Sequence, residues 1–180
     1  MKEEMMGEIK STWELVMEKL KGMEVTQKDR ERFQREEERE KAKRLFFPYF
    51  QGDERNWNNL KEEFKGLGET GLEEFFRLLS ENISLEEGLT ERYRKGLETL
   101  FGRDGLGRIE ELLERYRRRR EVEEEALKQE LFQAFQKKGI RGTAVDPNPR
   151  LHPRWNAVIE EVDGEFRREL REMLEGLPLV

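Results

Sequence analysis

Residues 137–155, KKGIRGTAVDPNPRLHPRW, interrupt a sequence that repeats apolar residues at helical spacing on both sides. The segment holds three of the five prolines, two of the fifteen glycines and the single histidine. Proline and glycine disfavour helix, so the segment predicts a connector between two helical rods. A link of about thirteen residues is longer than the usual link between packed helices. We therefore expect an ordered loop at the tip of a helical hairpin.

The two predicted rods are defined by their apolar stripes and their ends. The first covers 108–138, a length of roughly 46 Å at the helical rise. Lys137 and Lys138 in its last turn and Gly139 in the left-handed C′ position form a stop signal. The second rod starts at Pro153, whose fixed φ suits the first helical position. The stripe of the first rod contains Ile109, Leu112, Leu113, Tyr116, Val122, Ala126, Leu127, Leu131, Phe132 and Phe135. The stripe of the second contains Trp155, Val158, Ile159, Val162, Phe166, Leu170, Met173 and Leu174.

The N-terminal half predicts shorter helices. A stripe over 9–20 predicts one amphipathic helix, and Thr26 with Asp29 resembles the capping box that opens a second. That second helix is polar on every side up to LFFPYF at 45–50, an aromatic segment that we expect to plug the core. Pro48 should end or kink the helix there.

The segments together predict an all-α protein, an irregular bundle of short helices followed by a long antiparallel hairpin. The three glycines of GRDGLG at 102–107 favour a boundary before the C-terminal half. We divide the chain into an arm with the aromatic plug at 1–52, a cluster of short helices at 53–104 and the hairpin at 105–180. We expect these three segments to form one cooperative unit.

Composition narrows the function classes. Charged residues make up 42% of the chain and apolar residues 34%, which favours solvated helices. The absence of cysteine excludes disulfides, thiolate catalysis and zinc fingers, and it suits a reducing compartment. The segment MKEEMMGEIK lacks the apolar stretch of a signal peptide, and no run approaches the ~18 apolar residues of a membrane span. We expect a cytoplasmic protein without a membrane partner.

The connector is the candidate site. Five cationic residues stand against the single acid Asp146 between 137 and 154, on a chain of net charge −6. Such a local patch could bind RNA or phosphate, with backbone amides assisting and a tryptophan available for stacking. The alternative is that the lysines complement a helix dipole and the arginines are solvated. The candidate residues are Lys137, Lys138, Arg141, Arg150, His152, Arg154 and Trp155.

His152 is the one side chain that titrates near neutrality without help. Its simplest interpretation is an exposed cap or loop residue before the last helix. The alternative is an acid or base in a hydrolase, but no serine or cysteine lies nearby in sequence to form a nucleophile–base pair. We assign no catalytic residue, no cofactor site and no metal site.

The basic tract RYRRRREVEEE at 115–125 also invites a nucleic-acid interpretation. Its arginines, however, lie four residues from acids, as in Arg117–Glu121, Arg119–Glu123 and Arg120–Glu124. The pairs Glu111–Arg115 and Glu114–Arg118 have the same spacing. Such pairs stabilise an exposed helix. The tract therefore predicts a solvated helical face.

The segment GEIKSTWELVMEKLKGMEVTQKDRERFQREE at 7–37 resembles the start of certain uncharacterised bacterial helical proteins. The likeness covers about thirty residues of generic composition. It implies a helical fold and no activity, cofactor or partner.

The sequence favours a non-enzymatic helical protein that binds another protein. A thin helical chain with a long apolar stripe has difficulty burying that stripe alone, so either the N-terminal helix and plug cover the hairpin or a second copy does. Symmetric homodimers are the commonest oligomers, and we expect one here. The alternatives are an RNA- or phosphate-binding module that uses the connector, and a hydrolase that uses His152.

Overall fold

A computed structural model describes residues 26–53, 56–140, 142 and 145–180. These residues form the α-helices α1 (Gln27–Phe50), α2 (Trp57–Lys65), α3 (Glu69–Asn82), α4 (Glu91–Lys137) and α5 (Trp155–Gly176), with one 3-10 turn at Pro149–Leu151. No strand occurs in these ranges, so the all-α prediction is confirmed. None of the described helices combines the length and the hydrophobicity that a membrane span requires. The helix predicted over 9–20 lies outside the described residues.

The start of α1 is fixed by the predicted capping box. The Oγ1 atom of Thr26 accepts a hydrogen bond from the Asp29 N–H at 3.2 Å, and the Asp29 carboxylate accepts from the Thr26 N–H at 3.1 Å. Aspartate thus replaces the usual glutamate of the box. All side chains of residues 26–37 are exposed, including the large apolar Phe33, which is 52% exposed.

The aromatic segment at 45–50 enters the core, as predicted, through Leu45, Phe46, Tyr49 and Phe50, whereas Phe47 and Pro48 are exposed. The rings of Phe46 and Phe50 stack at 5.1 Å, and each meets Phe75 of α3 edge-on at 5.8 Å. Phe64 of α2 packs on Phe75 at 5.0 Å. Pro48 lies in the last turn of α1, and the helix ends two residues later. Residues 38–180 form one compact unit, and its single core includes side chains from all three predicted segments.

A break at Gly102 divides α4 into arms at 91–101 and 103–137. Gly102 has φ 69° and ψ −178°, a conformation that is essentially restricted to glycine. The C-terminal residue of the chain packs at this break, since the Val180 N–H donates to the Leu100 carbonyl at 3.1 Å. The glycine-rich boundary predicted at 102–107 therefore contains a real break, although the helix resumes at once.

The second arm of α4 packs against α5, and the two run antiparallel. Residue numbers rise on one helix as they fall on the other in the contacts 115–169, 119–165 and 130–154. The Tyr116 ring lies 5.6 Å from the Phe166 ring, and the Tyr116 hydroxyl donates to the Glu169 carboxylate at 2.8 Å. Residues buried between these helices and the core are Ile109, Leu112, Leu113, Tyr116, Val162, Phe166, Leu170 and Leu174.

The predicted stripe of α4 does not continue to the end of the helix. Val122 is 68% exposed and Ala126 is exposed. Beyond Tyr116, Leu127 is the one residue of α4 that is buried. The apolar stripe predicted along this helix is therefore only partly covered by the described part of the chain, because α5 and the connector do not reach the side of α4 that carries Val122 and Ala126. We define the distal end of this helix pair as three consecutive segments. These are residues 121–137 of α4, the connector at 138–154 and residues 155–161 of α5.

Candidate functional site

The connector begins with a complete Schellman motif. Gly139 adopts φ 82°, its N–H donates to the Gln136 carbonyl at 3.0 Å, and the Ile140 N–H donates to the Phe135 carbonyl at 3.0 Å. These two bonds satisfy carbonyls that the helix end would otherwise leave free. The stop signal predicted around Gly139 is therefore confirmed, and it fixes where the connector leaves α4.

The connector ends in a 3-10 turn stabilised by Asn148. The Asn148 side chain accepts from the Arg150 N–H at 3.0 Å, and its carbonyl accepts from the Leu151 N–H at 3.1 Å. The Trp155 N–H then donates to the His152 carbonyl at 2.9 Å. Regular helix starts at Trp155, two residues after the predicted start at Pro153. Such a shift is common, because the first turn of a helix is often 3-10.

His152 uses both of its ring nitrogens. Its Nδ1 atom accepts from the Arg154 N–H at 3.1 Å, which assigns the proton of the neutral ring to Nε2. Nε2 lies 3.2 Å from the Glu130 carboxylate on α4. The side chain is only 11% exposed, so the prediction of an exposed residue was wrong. The arrangement positions a loop, and it leaves no ring nitrogen free for acid–base chemistry.

Arg154 binds the same carboxylate as His152. Its guanidinium donates to the other oxygen of Glu130, so one acid on α4 receives two side chains from the connector. The hydrogen bond from Arg154, followed by the positive charge of its guanidinium, lowers the pKa of Glu130. Glu130 is therefore ionised throughout the physiological range, and it holds the last turn of the connector against α4.

Two further ion pairs attach the connector to the body. Arg150 donates to Glu86, in the turn before α4, at 3.3 Å, and its guanidinium lies 5.9 Å from the centre of the Trp155 ring. Asp146 accepts from Lys128 at 2.6 Å. The cations that the sequence assigned to an anion-binding patch are thus in part neutralised by carboxylates of the same chain. Exposed pairs of this kind contribute little stability individually, but together with the Glu130 contacts they hold residues 146–154 against α4 and the turn before it.

The structure brings together only some of the seven candidate residues. Arg150, His152, Arg154 and Trp155 form one group of contacts. Lys137 and Lys138 are exposed at the end of α4 and form no ion pair with any described residue. Arg141 lies outside the described residues. The seven therefore do not form a single pocket in the described part of the chain.

The basic tract at 115–120 contributes contacts that sequence spacing did not indicate. Arg118 and Arg120 form the predicted intrahelical pairs with Glu114 and Glu124 at 2.9 and 3.0 Å. Arg117 does not pair with Glu121; its Nε donates at 2.7 Å to the Leu85 carbonyl.

Arg115 and Arg119 also differ from the predicted four-residue pairing. Arg119 and Arg115 bind Glu165 and Glu169 across the helix interface. The predicted four-residue pairing was therefore wrong for Arg115, Arg117 and Arg119, although the Arg115 side chain is 60% exposed, as expected for a solvated face. The sequence contained a signal for these contacts across the interface. Arg115 and Arg119 lie four residues apart, next to Tyr116, which is buried.

Comparison with known proteins adds no residue to this site. No family model, curated protein or solved structure matches the chain. The function of the connector and the distal end therefore has to be inferred from geometry.

Proposed function

We propose that the protein acts by binding protein, and that its partner is a second copy of the chain bound at the distal end. The observation that supports the proposal is a change in side-chain burial along the α4–α5 helix pair. Near Tyr116 and Phe166 the apolar side chains are buried, whereas in the distal end Leu127 is buried and the other large apolar side chains are half-buried or exposed. The half-buried residues are Leu131, Phe132, Phe135, Trp155, Val158 and Ile159.

Exposed apolar side chains border this half-buried seam. Ile140 is 50% exposed and Leu151 is 74% exposed, both in the connector. Apolar surface removed from water gains roughly 25 cal/mol per Å². A second copy that covers these side chains gains this free energy, and a two-fold interface uses the same surface twice.

The charges of the connector favour this function over anion binding. An RNA backbone or a phosphate would have to displace Glu86 from Arg150 and Glu130 from Arg154. His152, the residue of the hydrolase alternative, has both nitrogens engaged. A protein partner covers the apolar residues and leaves all of these contacts in place.

Light scattering after size exclusion, across a range of concentrations, tests the proposal. The expected mass is twice the 21.7 kDa of the chain. Ile140→Ser combined with Leu151→Ser should shift the molecule towards monomer, because both side chains are exposed and neither belongs to the core. Phe47→Ser is the matched control, since Phe47 is 43% exposed on α1, outside the distal end.

Two results would contradict the proposal. One is a monomer at every concentration tested. The other is salt-dependent retention of RNA that is lost on charge reversal of Arg150 and Arg154, which would favour the anion-binding alternative.

A further inference from the structure

One side of α5 divides into an acidic half and a basic half around a glycine. Glu160 and Glu161 precede Gly164 on this side, and Arg167 and Arg168 follow it. All five residues are exposed, and we call them the outer face of α5. A Cβ added at Gly164 would meet no atom within 4 Å outside its own helix backbone. The described part of the chain therefore leaves the middle of the outer face open.

The four charges of the outer face are not used within the described part of the chain. None of them forms an ion pair with a described residue. Glu160 and Glu161 have no lysine or arginine three or four residues away, so the usual intrahelical pairs do not exist for them. The helix dipole does not account for the pattern, because its effect falls off within the first and last turns. These charges are therefore available to a partner.

Two copies of the outer face match each other when they pack antiparallel. Seven residues are almost two helical turns, so Glu160 and Arg167 lie along one edge of the face, and Glu161 and Arg168 lie along the other. A two-fold axis at Gly164 then puts Glu160 of each copy next to Arg167 of the other. The same axis puts Glu161 next to Arg168. A parallel pair would place glutamate beside glutamate and arginine beside arginine.

The two acids that flank the central glycine do not oppose this match. Asp163 and Glu165 approach their own copies near the axis, but each lies about 100° around the helix from the centre of the face. Arg119 of α4 binds Glu165, and Arg120 of α4 lies 3.9 Å from Asp163. Both negative charges are therefore turned sideways and balanced within their own chain.

Charges further from the axis are paired within the chain or matched across the axis. Glu172 would lie beside Arg154 of the other copy, because the two residues occupy the same edge at similar distances from the axis. Two ion pairs within the chain border the basic half, Arg77–Glu81 on α3 and Arg171–Glu175 on α5. The antiparallel register therefore leaves no unpaired like charges in contact.

We infer that two copies of the chain associate through the outer face of α5, antiparallel, with the two-fold axis at Gly164. The outer face lies on the side of α5 away from Trp155, Val158 and Ile159. The inference therefore goes beyond the proposed function and describes a second contact between copies. Ion pairs on an exposed face are weak individually and are screened by salt, so we expect the contact at low ionic strength.

Disulfide formation tests the inference, because the chain contains no natural cysteine. Gly164→Cys should form a disulfide with its own copy under mild oxidation, since facing positions of closely packed helices bring Cα atoms within the roughly 7 Å that a disulfide needs. Gly107→Cys, at another helical glycine where an added Cβ would meet no atom within 4 Å, is the matched control. Both variants also carry Ile140→Ser and Leu151→Ser, which remove the exposed apolar side chains of the connector.

Salt and charge reversal identify what holds the copies together. Disulfide formation by Gly164→Cys should be fast at about 20 mM salt and severalfold slower at about 0.5 M salt, because salt screens exposed ion pairs. Glu160→Arg with Glu161→Arg should slow it roughly tenfold at the lower salt concentration, and so should Arg167→Glu with Arg168→Glu. A mixture of the two reversed chains should recover the original rate, because an all-basic face then meets an all-acidic one. Circular dichroism checks that each variant remains folded.

Three results would overturn the inference. Equal rates for Gly164→Cys and Gly107→Cys would show that the outer face is not a contact. A rate for Gly164→Cys that rises with salt would indicate a parallel pair with like charges together. A mixture of the reversed chains that is oxidised no faster than either chain alone would exclude the ion pairs.

The inference and the proposed function fail separately. A dimer that Ile140→Ser with Leu151→Ser dissociates, and in which Gly164→Cys is oxidised no faster than Gly107→Cys, overturns only the inference. A dimer whose mass those two serine substitutions leave unchanged, and in which Gly164→Cys is oxidised rapidly, overturns only the proposed contact at the distal end.

Discussion

His152 on the connector and Glu130 on α4 are joined by a hydrogen bond, with Nε2 3.2 Å from the carboxylate. The other ring nitrogen accepts from the Arg154 N–H, and Arg154 reaches the same carboxylate. One acid thus fixes both the side chain and the backbone of the last connector turn. Specific contacts therefore hold the part of the connector next to α5, residues 146–154, against the rest of the chain.

Glu130→Gln should loosen this turn. The neutral amide keeps the size of the side chain but removes the charge that binds His152 and Arg154. We expect faster hydrogen exchange at the amides of Arg154 and Trp155, measured by NMR, with the rest of α5 unchanged. Glu175→Gln, which removes a pair within α5, is the matched control. Unchanged protection of both amides would show that backbone bonds alone hold the turn.

Arg117→Ala should destabilise the protein more than Arg118→Ala. Arg117 bridges α4 to the turn before it by donating to the Leu85 carbonyl at 2.7 Å and the Glu86 carbonyl at 3.3 Å. Loss of such charged hydrogen bonds costs about 1.5–3 kcal/mol. The neighbouring Arg118 forms an exposed pair with Glu114, and its loss should change the free energy of unfolding by less than about 0.5 kcal/mol. Urea denaturation measures both, and equal values would contradict the assignment.

Two helical glycines should respond to alanine with opposite signs. A Cβ at Gly96 would lie 2.5 Å from Cε1 of Phe50, so the aromatic cluster would have to move. Overpacking costs about 1–3 kcal/mol, which exceeds the roughly 1 kcal/mol that alanine gains in helix propensity. A Cβ added at Gly164 would meet no atom within 4 Å outside its own helix backbone. Gly164→Ala should therefore stabilise the protein by about 0.5–1 kcal/mol. Thermal unfolding should show a lower Tm for Gly96→Ala and a higher one for Gly164→Ala.

Acid should destabilise the fold through its paired carboxylates. The hydrogen bond from Arg77 lowers the pKa of Glu74, and that from Arg119 lowers the pKa of Glu165, both from an ordinary value of 4.5. Because these folded-state pKa values lie below those of the unfolded chain, the stabilisation is complete above pH 4.5 and is lost as the pH falls through the lowered values.

The Tm, followed by circular dichroism from pH 7 to pH 3, should therefore fall below pH 4.5. Arg119→Gln should reduce this fall, because Glu165 then loses the partner that lowers its pKa. A Tm that stays constant down to pH 3 would contradict the role of the pairs.

Helical periodicity predicted the elements well and their partners poorly. Spacing alone indicated that Phe166 and Tyr116 face a core, because large side chains at such intervals have few alternatives. Val122 fits the same spacing, yet it is exposed, since periodicity defines a face without saying what covers it. Arg119 has an acid four residues away and another across the interface, and only the three-dimensional structure decides between Glu123 and Glu165.

The connector also shows that local sequence predicts helix ends but not long-range contacts. Its proline and glycine content predicted where helix stops, and the Schellman motif at Gly139 follows from local sequence. The burial of His152 depends on Glu130, more than twenty residues away, so no local signal could have indicated it.

Beyond Tyr116, α4 contributes a single fully enclosed residue, Leu127, while the aromatic cluster around Phe75 is formed by residues of α1, α2 and α3. These turns beyond Tyr116 can therefore be shortened or extended by seven-residue segments, taken equally from both antiparallel helices, with loss of the Arg150–Glu86 pair but no rearrangement near Phe75. A protein built in this way can change the length of this helix pair and keep the stability of its aromatic core.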